Sequence, residues 1–184
     1  MLIRESVMAN DFLLDTSVLS ETSKPRPHPE VVRFLKSEVN VLVPAASLME
    51  VQLGIMQIFS RDPLKAVRLS GWYQQVLSAG IPILPTDQDV AETWGILAAE
   101  PRLRALVGPD PRSKRLGQGQ DLHIAAVALV HRLPIATINV KDFLLINECF
   151  PLPGVFNPLE AKWYAKPDGI SFTFDRQSAR VTGT

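Results

Sequence analysis

Phe12-Leu13-Leu14-Asp15-Thr16-Ser17-Val18-Leu19 sets three apolar residues before an acid, two hydroxyl residues and a second apolar pair. The triplet is too short for a helix and suits a strand buried on both faces, while the acid and hydroxyls after it suit a helix start. The same order returns downstream. Val41-Leu42-Val43, stopped by Pro44, precedes a stretch over 47–60 with apolar residues at 48, 51, 55, 58 and 59, a helical spacing. Asp62-Pro63 supplies an N-cap and a first-turn proline for a helix running towards Gly80. Ile83-Leu84 reads as a short strand, and Thr86 with Asp89 as a capping box for a helix towards Val107. A nearly all-apolar helix over 121–133 leads to a buried strand over 135–138, and Val155-Phe156 adds a final strand. Short buried strands alternating with helices predict an α/β fold, a central mainly parallel sheet with helices on both faces.

The chain has 184 residues, near the size of one domain, and its 46% apolar content supports a sizeable core. Nineteen basic residues offset nineteen acidic ones, so whole-chain charge does not call for a polyanion partner. One cysteine, Cys149, excludes an internal disulfide framework and a cysteine-based zinc site. The longest apolar run, over 124–130, falls far short of the ~20 residues of a membrane span. The N-terminal stretch has no charged region followed by a long apolar one, so the expectation is a soluble cytoplasmic protein. The stretch 161–184 is weakly patterned, either a tail or an edge hairpin turning at Pro167-Asp168-Gly169.

Four acids sit at element ends: Asp15, Glu50, Asp121 and Asp142. Each has a purely local reading. Asp15 caps the helix that begins at Thr16, and Asp121 sits in a first turn where the helix dipole favours it. Glu50 follows Ser47 by three residues and Asp142 follows Asn139 by three, the capping-box step. Together they read differently. Ligands of open parallel sheets gather outside the carboxyl ends of the strands, and all four acids belong at that edge. Carboxylates converging there call for a hard divalent cation. Both readings stand on spacing alone.

The stretch 12–19 resembles the opening strand and first aspartate of the PIN-domain ribonucleases, above all the VapC-type toxins of bacterial toxin–antitoxin pairs. Ser47-Leu48-Met49-Glu50-Val51-Gln52-Leu53-Gly54 resembles their second motif, and Asp121-Leu122-His123-Ile124-Ala125-Ala126 their third. Ala136-Thr137-Ile138-Asn139-Val140-Lys141-Asp142-Phe143 resembles the fourth, and Val155-Phe156-Asn157-Pro158 the closing strand. The resemblance implies a single PIN-like nuclease domain over 1–160 with a tail over 161–184. It further implies an endoribonuclease that arrests translation in the bacterial cytoplasm. Asp15, Glu50, Asp121 and Asp142 would hold Mg²⁺ or Mn²⁺, with Thr16, Ser17, Thr137 and Asn139 supporting them. The partners implied are RNA, a small VapB-like antitoxin and a second copy of the chain, with no membrane. Ser17 stands where Asn is frequent, and His131-Arg132 where a small or glycine-containing turn is common. Two other classes compete: a catalytically inactive binding module on this fold, and an aspartyl-phosphate enzyme. The haloacid-dehalogenase type of the latter needs a second Asp two residues after the first, where this chain has Ser17.

Among other residues, Gly54 either permits close helix packing or leaves space beside the site. Glu21 reads as a solvated helix-end charge, and His28 as a surface turn residue. His123 and His131 lie eight apart without a third histidine nearby, too few ligands for zinc. The run 101–120 carries five basic residues against one acid, and Arg112, Lys114 and Arg115 are its candidate contacts to an RNA backbone.

Overall fold

The computed structural model describes residues 11–37, 39–107 and 120–166. The chain enters at the middle of the sheet with β1 (Asp11–Leu14), then forms α1 (Thr16–Glu21) and α2 (Pro29–Lys36). It moves outward through β2 (Asn40–Pro44), α3 (Ala45–Phe59), α4 (Pro63–Ser78) and β3 (Ile83–Leu84). Then α5 (Gln88–Ala99), a 3-10 turn (Pro101–Leu103) and α6 (Arg104–Val107) follow. The chain returns through α7 (Gln120–His131) to β4 (Ile135–Ala136), then forms α8 (Val140–Cys149), β5 (Val155–Asn157) and β6 (Lys162–Ala165). The sheet order is β3-β2-β1-β4-β5-β6, parallel from β3 to β5 with β6 antiparallel at the edge. The direction of winding reverses between β1 and β4, which makes the crevice between them the switch point where such sheets bind ligands.

Pleating divides the core in two. Leu13, Ile135 and Val155 face the side covered by α5, α7 and α8. Their neighbours Phe12, Leu14, Ala136 and Phe156 face the side covered by α1 to α4. There Phe12, Phe34, Phe156 and Trp163 form an aromatic cluster with ring centroids 5.1–5.6 Å apart. Trp163 thus fastens β6 to the core, and the sheet runs past residue 160. The Pro167 turn lies outside the described residues. Among the described residues no helix is long and apolar enough to cross a membrane.

Several local expectations shift. The helix after β2 starts at Ala45, so Ser47 lies inside it and is buried. Asp87, not Thr86, caps α5 by accepting from the Val90 amide at 3.0 Å. The pattern towards Val107 breaks at Glu100, which is extended ahead of Pro101 because a residue before proline is pushed out of the helical region. Glu21 is buried, not solvated. It accepts from the His28 amide at 3.0 Å and pairs with Lys24 at 2.5 Å, holding α1 to the start of α2. His28 caps α2 through Nδ1, which accepts from the Glu30 amide. Asp62 and Pro63 open α4 as expected.

The turn before β4 keeps its shape despite the missing glycine. Arg132 takes a φ of 55°, and the Leu133 amide closes back on the Ala128 carbonyl at 3.0 Å. A side chain in the left-handed region is strained. Arg132→Gly should therefore raise stability by about 0.5–1 kcal/mol, net of the greater freedom of glycine in the unfolded chain. Urea denaturation checks this, and a loss of stability would show that the arginine makes contacts outweighing the strain.

Candidate active site

The backbone of β1 and β4 brings the first parts together. Leu14 pairs with Ala136, and the Asp15 amide donates to the Ala136 carbonyl at 3.0 Å. Asp15 is 3% exposed. It holds the N-cap position of α1 yet makes no side-chain cap. Its Oδ2 accepts from the Ser17 hydroxyl and, at 2.7 Å, from the Thr137 hydroxyl. The Ile138 amide donates to Ser17 Oγ at 3.0 Å and the Asn139 amide to Thr137 Oγ1 at 2.9 Å, fixing both hydroxyls. This network explains why β4 stops at Ala136 and not at 138: past that point the chain turns its polar atoms to the carboxylates.

Asp142 and Asp121 are joined through one amide. Asn139 Nδ2 donates to Asp142 Oδ2 at 2.7 Å and to Asp121 Oδ2 at 3.4 Å. Asn139, like Asp15, occupies an N-cap position without capping. The fourth acid, Glu50, comes from the second turn of α3. Ser47 forms no capping box with it, because the Ser47 hydroxyl donates to the Leu14 carbonyl at 3.3 Å and ties α3 to the end of β1. Thr16 Oγ1 is buried and lies against Glu50 without closing a hydrogen bond of regular geometry.

Charge shows that the four acids form one group. Burial pushes the Asp121 carboxyl up to about 8, and the charges of Asp15, Asp142 and Glu50 push in the same direction. Burial raises Glu50 as well, the Thr16 hydroxyl offsets part of that, and the Asp15 charge adds to it. Asp15 is raised by burial against the opposing hydroxyls of Ser17 and Thr137. Among the described residues no Lys or Arg pairs with any of the four. Nor are three His, Cys, Asp or Glu side chains among them placed to hold a metal ion. The carboxylates thus lie within electrostatic range of one another without forming a closed cage. Hard oxygen donors with uncompensated charge are the donor set that Mg²⁺ or Mn²⁺ takes, so the chemistry of the site fits such a cation.

Gly54 lies one turn beyond Glu50. A Cβ there would meet nothing within 4 Å, so close helix packing does not account for it, and the reading that it leaves space remains. Arg102, the first cation of the basic run, pairs with Glu148 at 2.6 Å on the surface. Arg112, Lys114 and Arg115 lie outside the described residues. One polar pair at the same sheet edge escaped sequence reasoning. Just past β3, Thr86 Oγ1 meets His123 Nε2 at 2.7 Å, and burial lowers the His123 pKa. The sequence signal was there in a threonine two residues after a strand and a histidine two residues from Asp121.

The PIN-domain model matches residues 12–144. The chain belongs to the PIN-domain family. It is 30% identical over 150 residues to the toxin FitB of Neisseria gonorrhoeae, spanning 79% of this chain and 96% of that one. The crystal structure of FitAcB from the same organism matches with a TM-score of 0.57 at 26% identity, over 80% of this chain and 97% of that one. A toxin–antitoxin complex from Klebsiella pneumoniae matches with a TM-score of 0.53 at 25% identity, over 80% and 97%. The family resemblance read from the motifs and the α/β architecture with a mainly parallel sheet are both borne out.

The raised Asp121 carboxyl sets a pH dependence. Its ordinary value is 3.8 and its folded value about 8, so between them the unfolded chain gives up a proton that the folded protein keeps. Its stabilising contribution is full below 3.8 and is lost as pH rises through about 8. Asp121→Asn should remove this loss, so in chelator its stability relative to wild type should climb between pH 5 and 8. Each unit of relieved shift is worth about 1.4 kcal/mol. Urea melts across that range check it, and a difference independent of pH would contradict the shared-charge cluster.

Proposed function

We propose that this chain is a metal-dependent endoribonuclease, the toxin of a bacterial toxin–antitoxin pair. The observation that carries the reading is the set of four acids at the β1–β4 switch point, with Asp121 under the charge of the other three. Asp15, Glu50, Asp121 and Asp142 hold Mg²⁺ or Mn²⁺, directly or through water. When bound, the cation supplies charge neutralisation at the scissile phosphate and activation of the attacking water.

The rest is done by the chain itself. Ser17 and Thr137 hold Asp15 Oδ2 with two hydroxyls, so the carboxylate cannot swing away when its charge changes. Asn139 sets the separation of Asp121 and Asp142. Thr16 lies against Glu50 and offsets part of the effect of burial on its carboxyl. The buried β1–β4 crevice supplies a medium in which these charges act more strongly than in water. The substrate is RNA, and its hydrolysis stops translation in the cytoplasm. By likeness to the toxin–antitoxin complexes, a small VapB-like antitoxin masks the site, and the active form is a homodimer. The nuclease unit is the domain expected over 1–160 extended by β6, whose Trp163 packs into its core. Arg112, Lys114 and Arg115 add phosphate contacts.

Expression of the whole chain without an antitoxin should arrest bacterial growth, and Asp15→Asn should abolish the arrest at equal protein level. The purified chain should cleave RNA only with Mg²⁺ or Mn²⁺ and leave 5′-phosphate ends. Equal toxicity of the variant, cleavage in excess chelator, or cyclic phosphate ends would each sink the assignment.

A further inference from the structure

We infer that the face of α3 carrying Glu50, Gly54 and Gln57, with Arg61 in the turn after it, is the channel along which a single RNA strand leaves the carboxylate cluster. The inference rests on the nuclease reading and adds to it the residues that guide the substrate. Positions 50, 54 and 57 follow one another at steps of four and three, so they share one face of α3, and Arg61 follows two residues past its end. Glu50 begins that face at the site, where it feels the Asp15 charge.

Gly54 is the second step. Glycine inside a helix weakens it, and nothing in the described structure requires one here, since an added Cβ would meet only open space. Gly71 in α4 and Gly95 in α5 are equally open, and Gly54 differs from them in lying one turn from Glu50, where a missing side chain lets a bulky backbone approach closely. Beyond it, Gln57 and Arg61 are exposed. At 1.5 Å per residue, Gln57 lies about 10 Å along the helix from Glu50, the reach of a few nucleotides, and Arg61 lies just beyond the helix end.

The charge at the end of that face, where the chain turns into α4, selects the occupant. Arg61, Lys65 and Arg68 are exposed and make no ion pair among the described residues. The one acid among them, Asp62, is committed to capping α4 through the Lys65 amide. A path from a cation-seeking cluster, over a gap with no side chain, to unpaired cations suits a strand of phosphates. Arg61 grips a phosphate by charge, and Gln57 offers amide hydrogen bonds to base or sugar.

The test is binding of a fluorescein-labelled oligouridine 12-mer to the full chain in chelator, read by anisotropy over a salt series. Gly54→Leu should weaken binding at least fivefold while melting no lower than wild type, because leucine is the better helix former and has room. Arg61→Gln should make the slope of log K against log salt shallower by about 0.7, the share of one phosphate contact on a single strand. Gln52→Ala, on the opposite face of α3, should bind as wild type does. Wild-type affinity and slope in both test variants would overturn the channel and leave this face to a protein partner, as would a wild-type chain that does not bind the oligonucleotide at low salt. If Gly54→Leu fails to fold, the Arg61→Gln slope decides. Metal-dependent cleavage with an unchanged KM in both variants would sink the channel and spare the nuclease reading. RNA bound as expected by a chain that cleaves nothing would do the reverse.

Discussion

Negative charge crowded at the carboxyl edge of a parallel sheet is the constraint on which the site depends. Asp15, Glu50 and Asp142 reach that edge because β1, β2 and β4 run in the same direction and release their chains on the same side, and Asp121 joins them at the start of α7, the helix that returns to β4. Parallel pairing is also what buries them, since helices cover both faces of such a sheet. Burial then works against ionisation, and the neighbouring charges add to it at Asp121. Among the described residues the chain answers with hydroxyls and one amide, and not with lysine or arginine. Neutral donors hold a carboxylate in place without cancelling the charge a cation needs, whereas an ion pair would fill the site.

The sequence made the order of elements readable because buried parallel strands are short apolar runs, and Phe12-Leu13-Leu14 and Val41-Leu42-Val43 are such runs. It could not decide between caps and a shared site. Ser47 and Glu50 have capping-box spacing, and only the contact of Ser47 with Leu14, 33 residues away, shows that the hydroxyl is used elsewhere. The same holds for Asp15, whose partner Thr137 lies 122 residues along the chain. The break at Glu100 was legible in Pro101, but the apolar spacing continued past it and concealed the break. The role of Trp163 in fixing β6 depends on meeting Phe12 and Phe156 across the sheet, which no local pattern reports.

Gly54 shows the same limit from the other side. A glycine one turn after an acid is compatible with tight packing or with empty space, and spacing alone does not distinguish them. The open volume around its Cβ position does. Thus α3 has two duties on two faces. Val51 and Ile55 anchor it in the core beneath α1 to α4, while Glu50 and Gly54 face matters that do not serve stability.

The helix starts sort in the same way. The His28, Asp62 and Asp87 side chains cap α2, α4 and α5, each accepting a backbone amide in the first turn. The helices that carry Glu50 and Asp142, together with the one that Asp15 precedes, have no side-chain cap. Asp15 and Asn139 are both residue types that cap well, and both stand at the N-cap position. Their polar atoms are spent instead on Ser17, Thr137, Asp121 and Asp142. A lost cap costs a helix about 1 kcal/mol, so α1 and α8 start less favourably than their sequences allow. Natural sequences break local rules where a site requires it. Here the breaks in capping and the raised carboxyl of Asp121 fall on helices around one crevice, while glycines with open Cβ positions occur in the capped helices α4 and α5 as well. The grouping of the capping breaks with the raised carboxyl ties those two departures to the carboxylate cluster and not to a loosely specified fold.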